Sequence, residues 1–215
     1  MKNVLYFFFC YLLLSACGGK SGNYRIKGNL LYTTAIKDGS YLVMKDSLSG
    51  DIDTLFFHGR YHFITEDNYG DYSVEMLSYN FSTVYDSVLQ KGTLIDFSAG
   101  AQSRVLGATI HYAENATDVF SSRALVVYKE PFTPGTTTAS ENAENKMIAT
   151  YNTYEVQNKT YQTVFESQQN SYSAVKNDTT TFNVFYSMHT GIIKIRISNP
   201  QRLIVLELID SNIIR

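Results

Sequence analysis

Few groups in this 215-residue chain could do chemistry: two cysteines, four histidines and 20 acidic side chains, with serines in abundance. His58 and His62 stand four apart, a spacing that on a helix would turn both imidazoles to one face and could bind metal. No His-Glu-x-x-His surrounds them and no third ligand is evident. Gly59 and the aromatic run favour a hairpin there instead, which leaves surface or turn histidines. His111 and His189 stand alone. There is no Gly-x-Ser-x-Gly elbow and no Ser-x-x-Lys in a catalytic context. A triad assembled across the fold stays open, but no spacing favours one. Asp46-Ser47-Leu48-Ser49-Gly50-Asp51-Ile52-Asp53 is acidic enough to suggest calcium. It lacks the alternating Asp-x-Asp-x-Asp-Gly pattern, so a solvated turn is expected. The same holds for Glu66-Asp67-Asn68-Tyr69-Gly70-Asp71. The expectation is a non-enzymatic protein with no metal and no cofactor.

The most specific spacing lies at the N-terminus. Lys2 is the only charge before Cys17, Val4 to Leu14 is almost wholly apolar, and Ser15-Ala16 supplies small residues. That is the layout of an export signal. The apolar run of about 11 residues is too short to span a membrane as a helix, which takes roughly 20. Leu14-Ser15-Ala16-Cys17 resembles the lipobox of bacterial lipoproteins. The resemblance implies removal of residues 1–16 and attachment of a diacylglycerol to Cys17. Its chemistry needs a thiol for the thioether and small neighbours for a narrow protease site. Each buried CH₂ adds about 0.8 kcal/mol, so two or three acyl chains anchor stably where one does not. A plain secretory signal with a chance cysteine is the competing reading. Gly18 stands where an Asp would retain the protein at the inner membrane. Residues 17–23 form a flexible tether without the acidic run that resembles a surface-export signal. The expected address is the outer membrane, lipid-anchored and facing the periplasm.

Of the 18 basic residues, Lys2 leaves with the signal, against 20 acidic ones, so the mature chain is slightly negative. No basic patch points to nucleic acid. Cys10 also leaves with the signal and Cys17 would carry lipid, so the mature chain holds no disulfide and depends on its core. The 17 Tyr, 13 Phe and many β-branched residues favour strands joined by polar loops.

Alternation predicts strands over 24–30, 40–45, 72–79, 93–98, 106–112, 123–128, 181–187, 191–197 and 203–209, with turns at Asp38-Gly39, Asn158-Lys159 and 198–201. The stretch 53–64 predicts a tight hairpin turning at His58-Gly59. Residues 130–146 read as a loop, and 139–149 could hold a short helix. Ile193, Ile195 and Ile197 share one face of their strand while Lys194 and Arg196 share the other. Leu203 to Ile209 is apolar on both faces except Glu207, which places it centrally in a sheet. The expected fold is mainly β, an antiparallel sandwich or highly curved sheet, with a subdomain over 24–80 and a second over 81–215.

Tyr24-x-Ile26-x-Gly28, Tyr41-Leu42, Asp53-Thr54 and Gly59-Arg60-Tyr61-His62-Phe63 together resemble the small β-sandwich domain that precedes thioredoxin-like lipoproteins of Bacteroidetes. No Cys-x-x-Cys follows, so that family's redox activity does not carry over. Asp96-Phe97-Ser98, Asn158-Lys159-Thr160-Tyr161, Tyr186 through Gly191-Ile192-Ile193-Lys194, and Leu206-Glu207-Leu208 resemble uncharacterised Bacteroidetes lipoproteins. That likeness covers about 90–212 and implies a highly curved antiparallel sheet. Tyr186-Ser187-Met188-His189-Thr190 departs from its Tyr-Ala-Lys before the glycine.

Ser47, Thr54, Ser87 and Thr179 each follow Asp and precede an aliphatic residue or threonine, in tripeptides resembling Bacteroidetes O-glycosylation acceptors. Ser47 and Thr179 are expected in loops and so are better placed than Thr54. The tyrosines suggest a carbohydrate partner, because aromatic faces stack on sugars, but most alternate along strands as core residues do. The expected function is a lipid-anchored binding or scaffold module. A carbohydrate-binding accessory lipoprotein of a glycan-uptake system is the alternative.

Overall fold

The computed structural model describes residues 22–26, 36–66, 72–82, 92–100, 104–113, 119–120, 124–140, 143–173, 178–188 and 190–214. Among these residues there is no helix. The strands are β1 (Gly22–Tyr24), β2 (Tyr41–Asp46), β3 (Ile52–Glu66), β4 (Tyr72–Ser82), β5 (Gly92–Gly100), β6 (Val105–Ala113), β7 (Val119–Phe120), β8 (Ala124–Lys129), β9 (Thr137–Ser140), β10 (Ala143–Val156), β11 (Lys159–Ser173), β12 (Asp178–Ser187), β13 (Gly191–Asn199) and β14 (Arg202–Asn212). Their ladder runs β7-β6-β5-β4-β3-β2-β14-β13-β12-β11-β10-β9, with β8 beside β6 and β1 beside β4. All pairs are antiparallel except β1 with β4. The strands are not closed into a barrel, and the arrangement fits the expected mainly-β sandwich or curved sheet.

The last strand sits in the middle, because β14 pairs with both β13 and β2. Its composition requires this. Ile204, Leu206 and Leu208 are buried on one face, and Glu207 is nearly buried on the other. Residues 80 and 81, where the sequence suggests a division, both lie within β4, and one cluster of buried residues runs through the fold. On the concave side the rows are continuous. Val184, Ile195 and Leu206 align across three strands, and so do Phe182, Ile197 and Ile204. Phe81, Ile95 and Ile110 form the matching row across β4, β5 and β6.

Curvature brings β8 against β11 and β12. Tyr128 on β8 meets Phe165 on β11 at 4.9 Å and Tyr186 on β12 at 6.1 Å between ring centroids. Phe132 closes on Phe165 at 4.8 Å. The backbone N–H of Val126 on β8 donates to Oδ1 of the buried Asn145 on β10 at 3.3 Å. The β8 side of the ladder thus packs across the interior on β10, β11 and β12.

Four expectations are corrected. The stretch 53–64 does not turn at His58-Gly59. β3 is a single strand through it, with a bulge between His58 and Arg60 opposite β4. A glycine inside an aromatic run marks a bulge as readily as a turn. The described residues of 139–149 are not helical. They contribute to the β9–β10 hairpin, whose register pairs Ala143 with Ser140 and Lys146 with Thr137. Of the expected loop 130–146, only residues 130–136 are irregular among those described. The β10–β11 turn falls at Gln157-Asn158, one residue earlier than expected. Both residues have positive φ, 50° and 63°, as a two-residue type I′ hairpin demands.

Gln169 on β11 is 1% exposed, and neither its Nε2 nor its Oε1 has a hydrogen-bond partner among the described residues. An unsatisfied buried amide costs about 1–3 kcal/mol. Gln169→Leu is therefore expected to raise stability by about 1–2 kcal/mol. The measurement is the urea midpoint at unchanged slope. A lower midpoint would mean that the amide is satisfied in solution.

Candidate functional site

Antiparallel register, rather than chain spacing, assembles the site. On the convex face Glu166 of β11 stands opposite Phe185 of β12, Phe185 opposite Lys194 of β13, and Lys194 opposite Glu207 of β14. One step along, Gln168, Asn183, Arg196 and Val205 form the next row. Between the rows lies an open cleft of about 340 Å³, lined by Tyr154, Glu166, Asn183, Phe185, Lys194, Arg196, Leu203 and Val205.

The cleft has an aromatic side. Tyr154 tilts against Phe185 with ring centroids 4.9 Å apart, and Tyr151 backs Tyr154 at 5.1 Å. Lys194 Nζ lies 5.9 Å from the centre of the Phe185 ring, within reach of its negative face. The polar side is ordered by hydrogen bonds. The Tyr151 hydroxyl donates to Glu166 Oε2 at 2.6 Å, and Asn183 Nδ2 donates to Glu166 Oε1 at 3.0 Å. The bond to Glu166, followed by burial, pushes the Tyr151 hydroxyl up to about 12. Tyr151 thus stays protonated and donating through the physiological range.

Lys194 Nζ donates to Glu207 Oε1 at 2.7 Å, and Gln157 Nε2 donates to Glu207 Oε2 at 2.5 Å. Burial alone would raise the Glu207 pKa. The bonds from Lys194 and Gln157, with the charges of Lys194 and Lys45, outweigh it and hold the carboxyl below its ordinary value. Arg196 is exposed, and its guanidinium has no partner among the described residues. The cleft offers an apolar ring surface, a fixed carboxylate, a side-chain amide and an open guanidinium. Such groups are able to donate and accept hydrogen bonds and to pack on an apolar ring face. No Ser, Thr, His or Asp is among the described lining residues.

The described residues marked by sequence lie elsewhere. Cys17, Ser87 and His189 fall outside the described residues, as do the side chains of His62 and His111. His58 is exposed in mid-strand on β3. In an extended strand a residue four positions away lies roughly 13 Å off, so the spacing that suits a helix does not make a ligand pair here. Among the described residues no group of three or more His, Cys, Asp or Glu could hold a metal.

The acidic stretch from Asp46 to Asp51 is a turn, but Asp46 is buried rather than solvated. Its carboxylate accepts from Leu48 N at 3.0 Å and Ser49 Oγ at 3.1 Å, and the turn closes with Gly50 N on Asp46 O at 2.8 Å. Ser47 sits exposed in that turn with its hydroxyl directed to Val205 O at 3.3 Å. Thr54 is half-buried within β3. Thr179 is exposed but lies in β12, opposite Tyr172, and not in the expected loop. Sequence reasoning placed Lys194 and Arg196 on a solvent face. It missed the cleft, whose other walls come from β10, β11, β12 and β14.

No known protein family, no curated protein and no solved structure matches this chain. No helix among the described residues is long and apolar enough to cross a membrane.

Proposed function

We propose that the chain is a lipid-anchored, non-enzymatic binding module of the bacterial cell envelope. It is tethered through Cys17 to the periplasmic side of the outer membrane and presents the convex cleft of β10–β14 to its ligand. The observation that carries the binding role is that cleft, where an aromatic wall, a hydrogen-bonded carboxylate and an open guanidinium converge. The anchoring rests on the lipobox-like spacing at Leu14 to Cys17. In cells fed an alkyne fatty acid, wild type is expected to take up the label and Cys17→Ala to lose it and leave the membrane fraction. Equal labelling of both removes the anchor.

A second reading, a carbohydrate-binding accessory lipoprotein, is favoured by one arrangement. Tyr154 and Phe185 lie beside Glu166 and Asn183, so a ring face adjoins groups that take hydroxyls in pairs. Screening the wild-type chain and Tyr154→Ala on a glycan array tests it. Signals that the substitution does not change would remove the cleft from consideration.

A further inference from the structure

We infer that the cleft takes an acidic saccharide, whose carboxylate is received by Arg196. This rests on the cleft being the binding site. The charges around it are committed, with one exception. Lys194 is tied to Glu207 at 2.7 Å, and Glu166 already accepts from Tyr151 and Asn183. Arg196 alone projects into the cleft with no partner among the described residues. A guanidinium is a planar fork of donors that matches a carboxylate in two parallel hydrogen bonds.

The rest of the cleft selects the body that carries the acid. Phe185 is 7% exposed and forms floor, while the half-buried Tyr154 forms wall, so a flat apolar ring face meets aromatic carbon. Asn183 and Glu166 stand beside that surface and suit ring hydroxyls, which donate to a carboxylate and exchange bonds with an amide. Glu166 also limits the charge that can enter. It disfavours a phosphate dianion more than a single carboxylate, because like charges repel in proportion to their product. At about 340 Å³ the space is small for a ligand site, where roughly 300–1,000 Å³ is usual, and suits a short segment of a glycan.

The test is calorimetry on the full chain, purified in detergent, with α-1,4-trigalacturonate and its fully methyl-esterified, uncharged counterpart. The acid is expected to bind about tenfold or more tighter than the ester, as a charge-assisted pair implies. Arg196→Gln should bring acid binding down to the level of the ester, with thermal unfolding unchanged because Arg196 is exposed. Raising the salt should weaken the acid and leave the ester alone. Equal binding of acid and ester, no binding of either, or displacement of the acid by equimolar inorganic phosphate would each overturn the inference. If equal binding is weakened by Tyr154→Ala, the cleft stands and only the acidic preference fails. If acid binding survives both Tyr154→Ala and Arg196→Gln, the ligand sits elsewhere and the cleft reading fails with it.

Discussion

Phe165→Ala is expected to lower the unfolding free energy by about 3–5 kcal/mol, the range for truncating a buried phenylalanine. The ring is 7% exposed and touches Tyr128 of β8 and Phe132 of the following irregular segment, at 4.9 and 4.8 Å. Most of the buried rows are built by strands adjacent in the ladder. Phe165 instead ties β11 to elements at the far end of it. Its loss leaves a cavity between layers that neighbouring backbone bonds cannot close. Since domains hold only about 5–15 kcal/mol in total, the variant should approach the limit of foldability. Phe165→Leu should recover most of the loss. Chemical denaturation followed by tyrosine fluorescence measures both. A loss under about 1 kcal/mol for alanine would mean that these rings touch without holding the layers together.

Lys194→Met is expected to cost about 1–3 kcal/mol at pH 7, and less as the solution is acidified. It leaves the Glu207 carboxylate, 9% exposed, with Gln157 as its remaining direct partner. The sign follows from the direction of the shift. The folded carboxyl titrates below its unfolded value of about 4.5, so its stabilising effect is complete above that value. The effect fades as the pH falls through the folded value, where the proton removes the charge that Lys194 neutralises. The gap between wild type and variant should therefore be widest at neutral pH and narrow towards pH 3. A gap that stays constant over that range would assign the effect to packing of the lysine stem on Phe185 instead.

Alternation carried most of the fold. Ile193, Ile195 and Ile197 are buried and Lys194 and Arg196 are not, because a strand offers only two faces and the sequence separates them. Leu203 to Ile209 read as central, and β14 is central, though Leu203 is 38% exposed at the rim of the cleft. The failures have a common cause. Gly59 and the segment 139–149 are locally compatible with a turn and a helix. What decides them is a partner distant in sequence: β4 for β3, and β11 for β10. The long pairing of β10 with β11 buries Met147 and Asn145, which outweighs the helical preference of the nearby alanines and glutamates. The cleft was illegible for the same reason. Nothing in the spacing of Glu166, Phe185 and Lys194 reveals that they stand abreast, because their register is fixed by the intervening hairpins.

The contact of Val126 with Asn145 bears on how the molecule behaves in a crowd. Free margins of β-structure invite other chains to add a strand, the first step towards fibrils. Here one margin, β8, is turned inward and one of its amides is already capped by a side chain. The opposite margin, β9, is four residues long. It covers only Ala143 to Lys146 of β10, so the stretch of β10 from Ile148 to Val156 is the margin along which an arriving strand would add.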